Sequence, residues 1–295
     1  MQTRAGFVSI IGKPNTGKST LLNALLGTKL SITNPKPQTT RRKILGILTE
    51  DDYQIVFADT PGLLKPRYMM QEFMMDYVAE SVAESDVLVL VSDLEKQEAE
   101  EIDEKLLEIV KNFKGQTILV LNKIDSLSNK KAALPMIAKY HKMGIFNEIV
   151  PMSALYKDNI KKLVQVIKEL LPESPFYFDS DLLSTLPERF FVSELIRENV
   201  FNIFADEIPY STEVQINEFK ERESGKWYIS ADIVVERESQ KKIVVGTDGN
   251  KIKQIGETSR RMIEDHLRTN IYLELFVKVR QNWRNDKSKL KNFGY

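Results

Sequence analysis

Short apolar runs alternate with longer amphipathic segments from Phe7 to Leu171. The apolar runs predict strands at residues 7–11, 44–48, 55–58, 87–91, 118–121 and 148–151. The amphipathic segments between them predict helices at residues 19–26, 71–84, 98–112, 131–143 and 160–171. Because strands that alternate with helices are typical of βαβ crossovers, this pattern predicts an α/β domain with a mostly parallel sheet.

The pattern changes after residue 172, because segment 173–186 lacks hydrophobic periodicity and is predicted to be a linker. The elements predicted beyond it are a helix at 187–205, strands at 212–221 and 227–238, a helical turn at 241–245, a helix at 251–267 and a strand at 271–279. This α-β-β-α-α-β order predicts a smaller α+β module. The predicted domains are therefore 1–172 and 187–295, the second with a C-terminal extension.

The charges of the chain are balanced overall but unevenly placed. The 295 residues include 42 Lys and Arg, 42 Asp and Glu, and no Cys. Segment 241–295 holds 13 basic and 6 acidic residues, a net charge of +7, so the remainder carries −7. A basic end on an acidic chain favours either a polyanionic partner or a solvated tail. The absence of Cys excludes disulfides and thiolate metal sites, and every apolar run is far shorter than the roughly 20 residues of a membrane-spanning helix.

The segment after the first predicted strand matches the phosphate-binding pattern G-x-x-x-x-G-K-[ST]. It consists of Gly12, Lys13, Pro14, Asn15, Thr16, Gly17, Lys18 and Ser19. The glycines allow backbone N–H groups to turn toward phosphate oxygens, and the helix that follows adds the positive end of its dipole. We expect Lys18 to contact the β- and γ-phosphates as a catalytic group, and Ser19 to bind Mg²⁺.

A second motif, after the fifth predicted strand, indicates which base is bound. It contains Asn122, Lys123 and Asp125. The Asp125 carboxylate can accept the N1–H and the 2-amino group of guanine, which adenine does not offer, so the motif predicts GTP and GDP. We expect Asn122 to join the base to the phosphate loop and the Lys123 stem to lie along the base. A backbone N–H of Ser153 or Ala154 is expected to donate to guanine O6.

A third motif closes the third predicted strand and consists of Asp59, Thr60, Pro61 and Gly62. We expect Asp59 to hold Mg²⁺ through water and the Gly62 N–H, in a catalytic role, to meet the γ-phosphate. The Pro-rich polar loop 34–42 precedes this motif. Within that loop Thr40, or less favourably Thr39, is the candidate to bind Mg²⁺ and take part in catalysis. Loss of this contact on hydrolysis would release the loop, as in GTPase switches.

These motifs, in this order, resemble those of the P-loop GTPases, and segments 12–19, 37–41 and 59–62 are similar to the Era family of bacterial GTPases. In that family the residue after Asp-x-x-Gly is often apolar instead of the water-orienting Gln of Ras-like proteins, and here it is Leu63. The resemblance also implies that Asn15 can hold a K⁺ ion beside the phosphates.

The second domain contains a loop that resembles the Gly-x-x-Gly loop of KH domains, in an element order typical of the type II variant. The loop consists of Gly246, Thr247, Asp248 and Gly249, and is followed by Lys251 and Lys253. In KH domains such a loop clamps the backbone of single-stranded RNA. The resemblance therefore implies that these six residues bind RNA, with the two lysines supplying charge for phosphates.

The combination of a P-loop GTPase domain and a type II KH domain resembles the Era family over essentially the whole chain. The resemblance implies a monomeric GTPase with a slow intrinsic rate, which uses GTP, GDP and Mg²⁺. It also implies binding to the 3′ end of 16S rRNA and to the 30S subunit during small-subunit assembly, and no binding to DNA. A cytoplasmic protein with a peripheral fraction at the inner face of the cell membrane is expected.

Two other functions remain compatible with the sequence. One is a GTPase with a membrane or protein partner, in which the second domain is only a scaffold. This alternative gains weight if the acidic Asp248 within the Gly-x-x-Gly loop abolishes RNA binding. The other is a related ribosome GTPase whose KH-like fold contacts protein. Such GTPases commonly carry two GTPase domains, whereas this sequence has one P-loop motif.

The base-reading role of Asp125 gives a direct test of nucleotide choice. The substitution Asp125→Asn should shift preference from GTP toward xanthosine triphosphate, because an amide can donate to the 2-oxo group that a carboxylate repels. Competition binding of the two nucleotides measures the shift. A variant that kept its full preference for GTP would show that Asp125 does not read the base.

Overall fold

The structure is a computed structural model and describes residues 3–94, 102–127, 129–223 and 225–295. Contacts divide the chain into two compact units. The first contains the residues up to Lys65 together with Met74–Thr185, and the second contains Pro66–Phe73 together with Leu186–Tyr295. The eight residues Pro66–Phe73 therefore group with the second unit although the chain around them belongs to the first.

The first unit is built on a six-stranded sheet in the order β2-β3-β1-β4-β5-β6. The strands are β1 Arg4–Ile11, β2 Ile44–Thr49, β3 Tyr53–Asp59, β4 Val87–Asp93, β5 Gln116–Asn122 and β6 Glu148–Pro151. Only β2 runs antiparallel to its neighbour in this sheet, because a turn of three residues joins it to β3. All other neighbours pair in parallel, which confirms the predicted mostly parallel sheet.

The helices of the first unit are α1 Lys18–Leu26, α2 Met69–Ala83, α3 Glu104–Asn112, α4 Leu134–Lys142 and α5 Ile160–Leu170, and α2 begins in the segment that groups with the second unit. Two helix starts differ from the prediction by more than two residues. The helix predicted at 98–112 begins at Glu104, since the Asp103 side chain caps it by accepting the Lys105 N–H at 2.9 Å; residues 95–101 lie outside the described residues. The helix predicted at 131–143 begins with a 3₁₀ turn, because Pro135 fits only the first turn of an α-helix.

Most of the segment predicted as a linker, 173–186, belongs to the first unit, which extends to Thr185. The Gln54 side-chain oxygen accepts the N–H groups of Tyr177 at 2.8 Å and Phe178 at 3.0 Å. Further along, the Leu183 carbonyl accepts the Ile47 N–H at 2.8 Å. Since Ile47 belongs to β2, the strand at the edge of the sheet, the segment supplies backbone partners to that edge.

The second unit is an α+β module in the predicted order. Its elements are α6 Glu188–Ile203, α7 Ile208–Ser211, β7 Glu213–Lys220, β8 Trp227–Val235, α8 Glu238–Val245, α9 Asn250–Leu267, β9 Ile271–Val279 and α10 Lys287–Asn292. In its sheet β8 is central, antiparallel to β7 and parallel to β9. Alternate residues of β8, such as Ile229 and Ile233, are fully buried in a core with Ile196 and Ile263 from the helices.

The basic C-terminal region is packed and is not a solvated tail. Trp283 is fully buried, donates its Nε1–H to the Ser211 carbonyl at 3.1 Å and meets the Phe293 ring edge-on. The Tyr295 hydroxyl lies 2.6 Å from Glu213 Oε2. Among the described residues, no helix combines the length and apolar character needed to cross a bilayer.

Candidate functional site

The phosphate loop connects β1 to α1 and has the backbone shape that its glycines permit. Gly17 has φ 93°, and Asn15 also adopts a positive φ of 66°. A Cβ atom on Gly17 would lie 2.3 Å from Asn122 Nδ2, so no side chain fits there. The loop therefore needs Gly17 both for its conformation and for its close contact with β5. The N-terminus of α1 faces the concave side of such a loop, which favours anions.

Lys18 is buried beneath the loop, with only 6% of its surface exposed. Its Nζ donates to the carbonyl oxygens of Lys13 at 2.9 Å and Gly12 at 3.3 Å. Burial lowers the pKa of Lys18 to about 8, while the nearby Asp59 carboxylate opposes this shift. Nucleotide phosphates would supply the negative charge that this ammonium group lacks, so the site is suited to a polyphosphate.

Three residues predicted as metal ligands come together on one side of the loop. Ser19 Oγ lies 2.8 Å from both Asp59 Oδ2 and Thr40 Oγ1. Thr40 Oγ1 is also 3.3 Å from the same carboxylate oxygen, so the geometry favours Thr40 over Thr39. Asp59 is fully buried, which raises the pKa of its carboxyl, and its Oδ1 has no hydrogen-bond partner. This donor set fits Mg²⁺, which prefers oxygen ligands and keeps several waters or phosphates.

The Asp59–Gly62 motif packs directly on the phosphate loop. The Thr60 hydroxyl donates to the Ile10 carbonyl at 2.7 Å, and the Leu63 N–H donates to the Gly12 carbonyl at 3.0 Å. A Cβ atom on Gly62 would lie 2.7 Å from Pro14 Cα. The close approach of the two segments therefore requires Gly62. Pro61 follows Thr60 at the same edge of the sheet.

Asn122 connects the phosphate loop to the base-binding segment. Its Nδ2 donates to the Thr16 carbonyl at 2.8 Å and its Oδ1 accepts the Ala154 N–H at 2.9 Å. The Ser153 N–H donates to the Asp158 carbonyl at 3.3 Å. Both N–H groups predicted to meet guanine O6 thus have protein partners. The predicted contact of one of these N–H groups with guanine O6 stays a prediction.

A cavity of about 530 Å³ joins these segments. Its lining includes Asn15, Lys18, Ser19, Thr39, Thr40, Gly62, Asn122, Lys123, Asp125 and Ala154. Asp125 is exposed in the 3₁₀ turn Ile124–Ser126, and Lys123 precedes that turn in the left-handed conformation with φ 65°. The lining also contains Ile32 and Leu155, which the motifs did not predict, since neither belongs to a recognisable pattern.

Asn15 contacts the Pro-rich loop. Its Nδ2 donates to the Pro35 carbonyl at 2.7 Å. Since the amide nitrogen is used in this way, the amide oxygen is the atom through which Asn15 could bind a cation beside the phosphates. The position is compatible with the predicted K⁺ ligand.

The Gly-x-x-Gly loop of the second unit connects α8 to α9. Gly246 and Gly249 have φ values of 74° and 75°, and a Cβ atom on Gly246 would lie 2.7 Å from Lys251 Cγ. Asp248 adopts the left-handed conformation with φ 51°. Thr247, Asp248, Lys251 and Lys253 are exposed at this loop and the first turn of α9. The predicted RNA-binding residues therefore share one accessible surface.

The lowered pKa of Lys18 predicts that nucleotide binding takes up a proton. In the free protein Lys18 is largely neutral above its pKa of about 8. Bound phosphates favour its charged form, so affinity for GDP should fall as the pH rises past this value. Calorimetry at about pH 9, in buffers of different ionisation enthalpy, should detect uptake approaching one proton.

Two variants test whether Lys18 is the group that takes up the proton. The exposed Lys29 lies outside the loop, so Lys29→Ala should retain the proton uptake. Lys18→Arg should lose it, because a guanidinium group stays charged at this pH. Binding of GDP by the unaltered chain without proton uptake would contradict the assignment of the buried ammonium to the phosphates.

Comparison with known proteins agrees with this geometry. Residues 7–123 match the family described as 50S ribosome-binding GTPase, and residues 207–284 match the KH domain. GTPase Era of Geotalea daltonii is 46% identical over 294 residues, which cover 100% of this chain and 98% of the relative. GTPase Era of Clostridium botulinum strain Alaska E43 is 42% identical over 99% of this chain and 98% of the relative.

Two solved structures are similar over 99% of this chain and 99% of their own, each at 38% identity. One is Era in complex with MgGDPNP and nucleotides 1506–1542 of 16S ribosomal RNA, with a TM-score of 0.93. The other is a variant of Aquifex aeolicus Era bound to GDP and AlF₄⁻, with a TM-score of 0.94. With a P-loop domain, a KH domain and relatives of this identity over its whole length, the chain belongs to the Era family of GTPases.

Proposed function

We propose that this GTPase binds the 3′ end of 16S rRNA and the 30S subunit through its KH domain, and that it acts in small-subunit assembly. The observation that carries this proposal is the exposed Gly-x-x-Gly loop with Lys251 and Lys253 on one surface. The similar Era structure that holds nucleotides 1506–1542 of 16S rRNA supports the choice of RNA. The net charge of +7 in segment 241–295 supports binding to a polyanion.

We further propose that the bound nucleotide is GTP or GDP with Mg²⁺, as in the similar structure with MgGDPNP. Ser19, Thr40 and Asp59 would hold the ion, which neutralises charge on the phosphates when it is bound. Thr40 belongs to the Pro-rich loop and Ser19 to α1. An ion shared by the two would fix this loop in the GTP state and release it after hydrolysis.

Catalysis must proceed without a water-orienting side chain at the position that directly follows the Asp59–Gly62 motif. Leu63 follows the Asp59–Gly62 motif, and its side chain has neither a donor nor an acceptor. We therefore expect slow intrinsic hydrolysis, at about 10⁻⁴ to 10⁻³ s⁻¹, as for unassisted Ras-like enzymes. We propose that K⁺, held by the Asn15 amide oxygen, supplies part of the missing positive charge beside the phosphates.

The RNA proposal predicts a defined dependence on salt. For an RNA with the sequence of nucleotides 1506–1542, log affinity should fall linearly with log salt, at about −0.7 per phosphate neutralised. The double variant Lys251→Ala/Lys253→Ala should bind more weakly and should flatten the slope by about 1.4, because two phosphate contacts are lost. Fluorescence anisotropy at several KCl concentrations measures both quantities.

The matched control removes two lysine charges from a surface of the first unit. Lys161 and Lys162 are exposed on α5 in the first unit, so Lys161→Ala/Lys162→Ala should leave the slope unchanged. A scrambled RNA of equal length should bind the unaltered chain more weakly. Equal slopes for the two double variants would exclude the Gly-x-x-Gly surface as the RNA site.

The potassium proposal predicts that GTP hydrolysis is several-fold faster in KCl than in NaCl at equal concentration, because a fitted cation stabilises developing charge. Asn15→Ala should abolish this difference. Asn34 lies in the neighbouring loop and its Oδ1 accepts the Lys36 N–H at 3.0 Å, so Asn34→Ala should retain the K⁺ to Na⁺ ratio. Identical rates in the two salts would eliminate the cation and point to RNA or the ribosome as activator.

A further inference from the structure

The carboxylate of Asp93 lies at the same edge of the sheet as the base-binding motif. Asp93 ends β4 and is in register with Asn122, the last residue of β5. Only 4% of its surface is exposed. Its Oδ2 lies 2.5 Å from Lys123 Nζ, so the two groups form an ion pair with a charge-assisted hydrogen bond. No nucleotide-binding motif includes this residue.

This contact fixes one end of the Lys123 side chain. The other end is fixed by the backbone, where Lys123 adopts φ 65° and its carbonyl accepts the Ser126 N–H at 3.1 Å. A lysine side chain otherwise has the conformational freedom of four rotatable bonds. With both ends held, the aliphatic stem remains as part of the lining of the cavity that also contains Asp125.

The ion pair between Asp93 and Lys123 is largely shielded from water. The Asp93 side chain is 3% exposed and that of Lys123 is 31% exposed. Attraction between two charges is screened less by water when one of them is buried, and loss of either partner leaves the other charge poorly compensated. The protein itself therefore holds the lysine in place, which reduces the entropy that nucleotide binding has to overcome.

We propose that Asp93 is a positioning residue for guanine nucleotides. It holds Lys123 so that the stem of the lysine is in place along the face of the base. This inference rests on nucleotide binding by the GTPase domain and is independent of the RNA proposal. Because the stem meets the face of the base and not its edge, Asp93 affects how tightly a purine nucleotide is held, while Asp125 determines which base is accepted.

The test measures nucleotide release and steady-state hydrolysis in the full chain. Asp93→Asn should release fluorescent GDP about tenfold faster and raise KM for GTP by a similar factor, since a hydrogen bond to a charged group contributes at least this much. The kcat at saturating GTP should stay unchanged, because Asp93 is not part of the lining of the cavity that contains Lys18 and Ser19. In Asp93→Asn the release of inosine diphosphate, whose base lacks the 2-amino group of guanine, should accelerate by the same factor as the release of GDP.

Two further variants separate positioning from general loss of structure. Asp86 precedes the other end of β4, where its carboxylate accepts the Phe7 N–H at 2.8 Å. Asp86→Asn removes the same charge from a half-buried carboxylate at the opposite end of β4 and should leave release and KM unchanged. In a chain that already carries Lys123→Ala, the added Asp93→Asn should cause no further acceleration, because the residue through which Asp93 acts is gone.

Three results would overturn the proposal. The first is GDP release from Asp93→Asn at the unaltered rate. The second is equal acceleration in Asp86→Asn, which would indicate a loss of sheet stability. The third is a double variant that releases GDP faster than Lys123→Ala alone by the full factor seen for Asp93→Asn. This result would show that Asp93 does not act through Lys123. Thermal unfolding and the unchanged kcat establish that each variant is folded.

Discussion

The nucleotide site depends on the Asn122 amide, which binds two segments that are distant in sequence. Its nitrogen donates to the Thr16 carbonyl in the phosphate loop, and its oxygen accepts the Ala154 N–H beyond β6. The phosphate-binding half and the base-binding half of the cavity thereby keep a fixed separation. An aspartate could not replace this residue, because it has no donor for the Thr16 carbonyl. One cavity is lined by residues of both halves, as a ligand that carries both a base and phosphates requires.

The phosphate-binding half of the site contains two buried charged groups. Lys18 and Asp59 are both buried, and the Asp59 Oδ1 has no partner. Folding brings these charges out of water without fully compensating them. Phosphates and a divalent cation would compensate both, so ligand binding and stability of the first unit are linked.

The sequence predicted the site where chemistry restricts each position to one or two residue types, as for Gly17, Lys18 and Asp59. It did not predict the ion pair of Asp93 with Lys123, because an acidic residue after a buried strand has many possible partners and this one lies 30 residues away. The sequence also did not predict the hydrogen-bond partner of the Ala154 N–H, because that partner depends on the rotamer of Asn122. Motif residues follow from local spacing, whereas partners between strands depend on register, which only the folded sheet shows.

The docking of segment 173–186 on β2 changes where the first unit can be separated from the rest of the chain. A cut at the proline-rich break near residue 172 would remove the carbonyl of Leu183 from Ile47 and the backbone partners of Gln54. The outer edge of β2 would then be open to pairing with other chains, a common route to aggregation. A soluble isolated GTPase domain therefore has to extend through Thr185, where the contacts of this unit end.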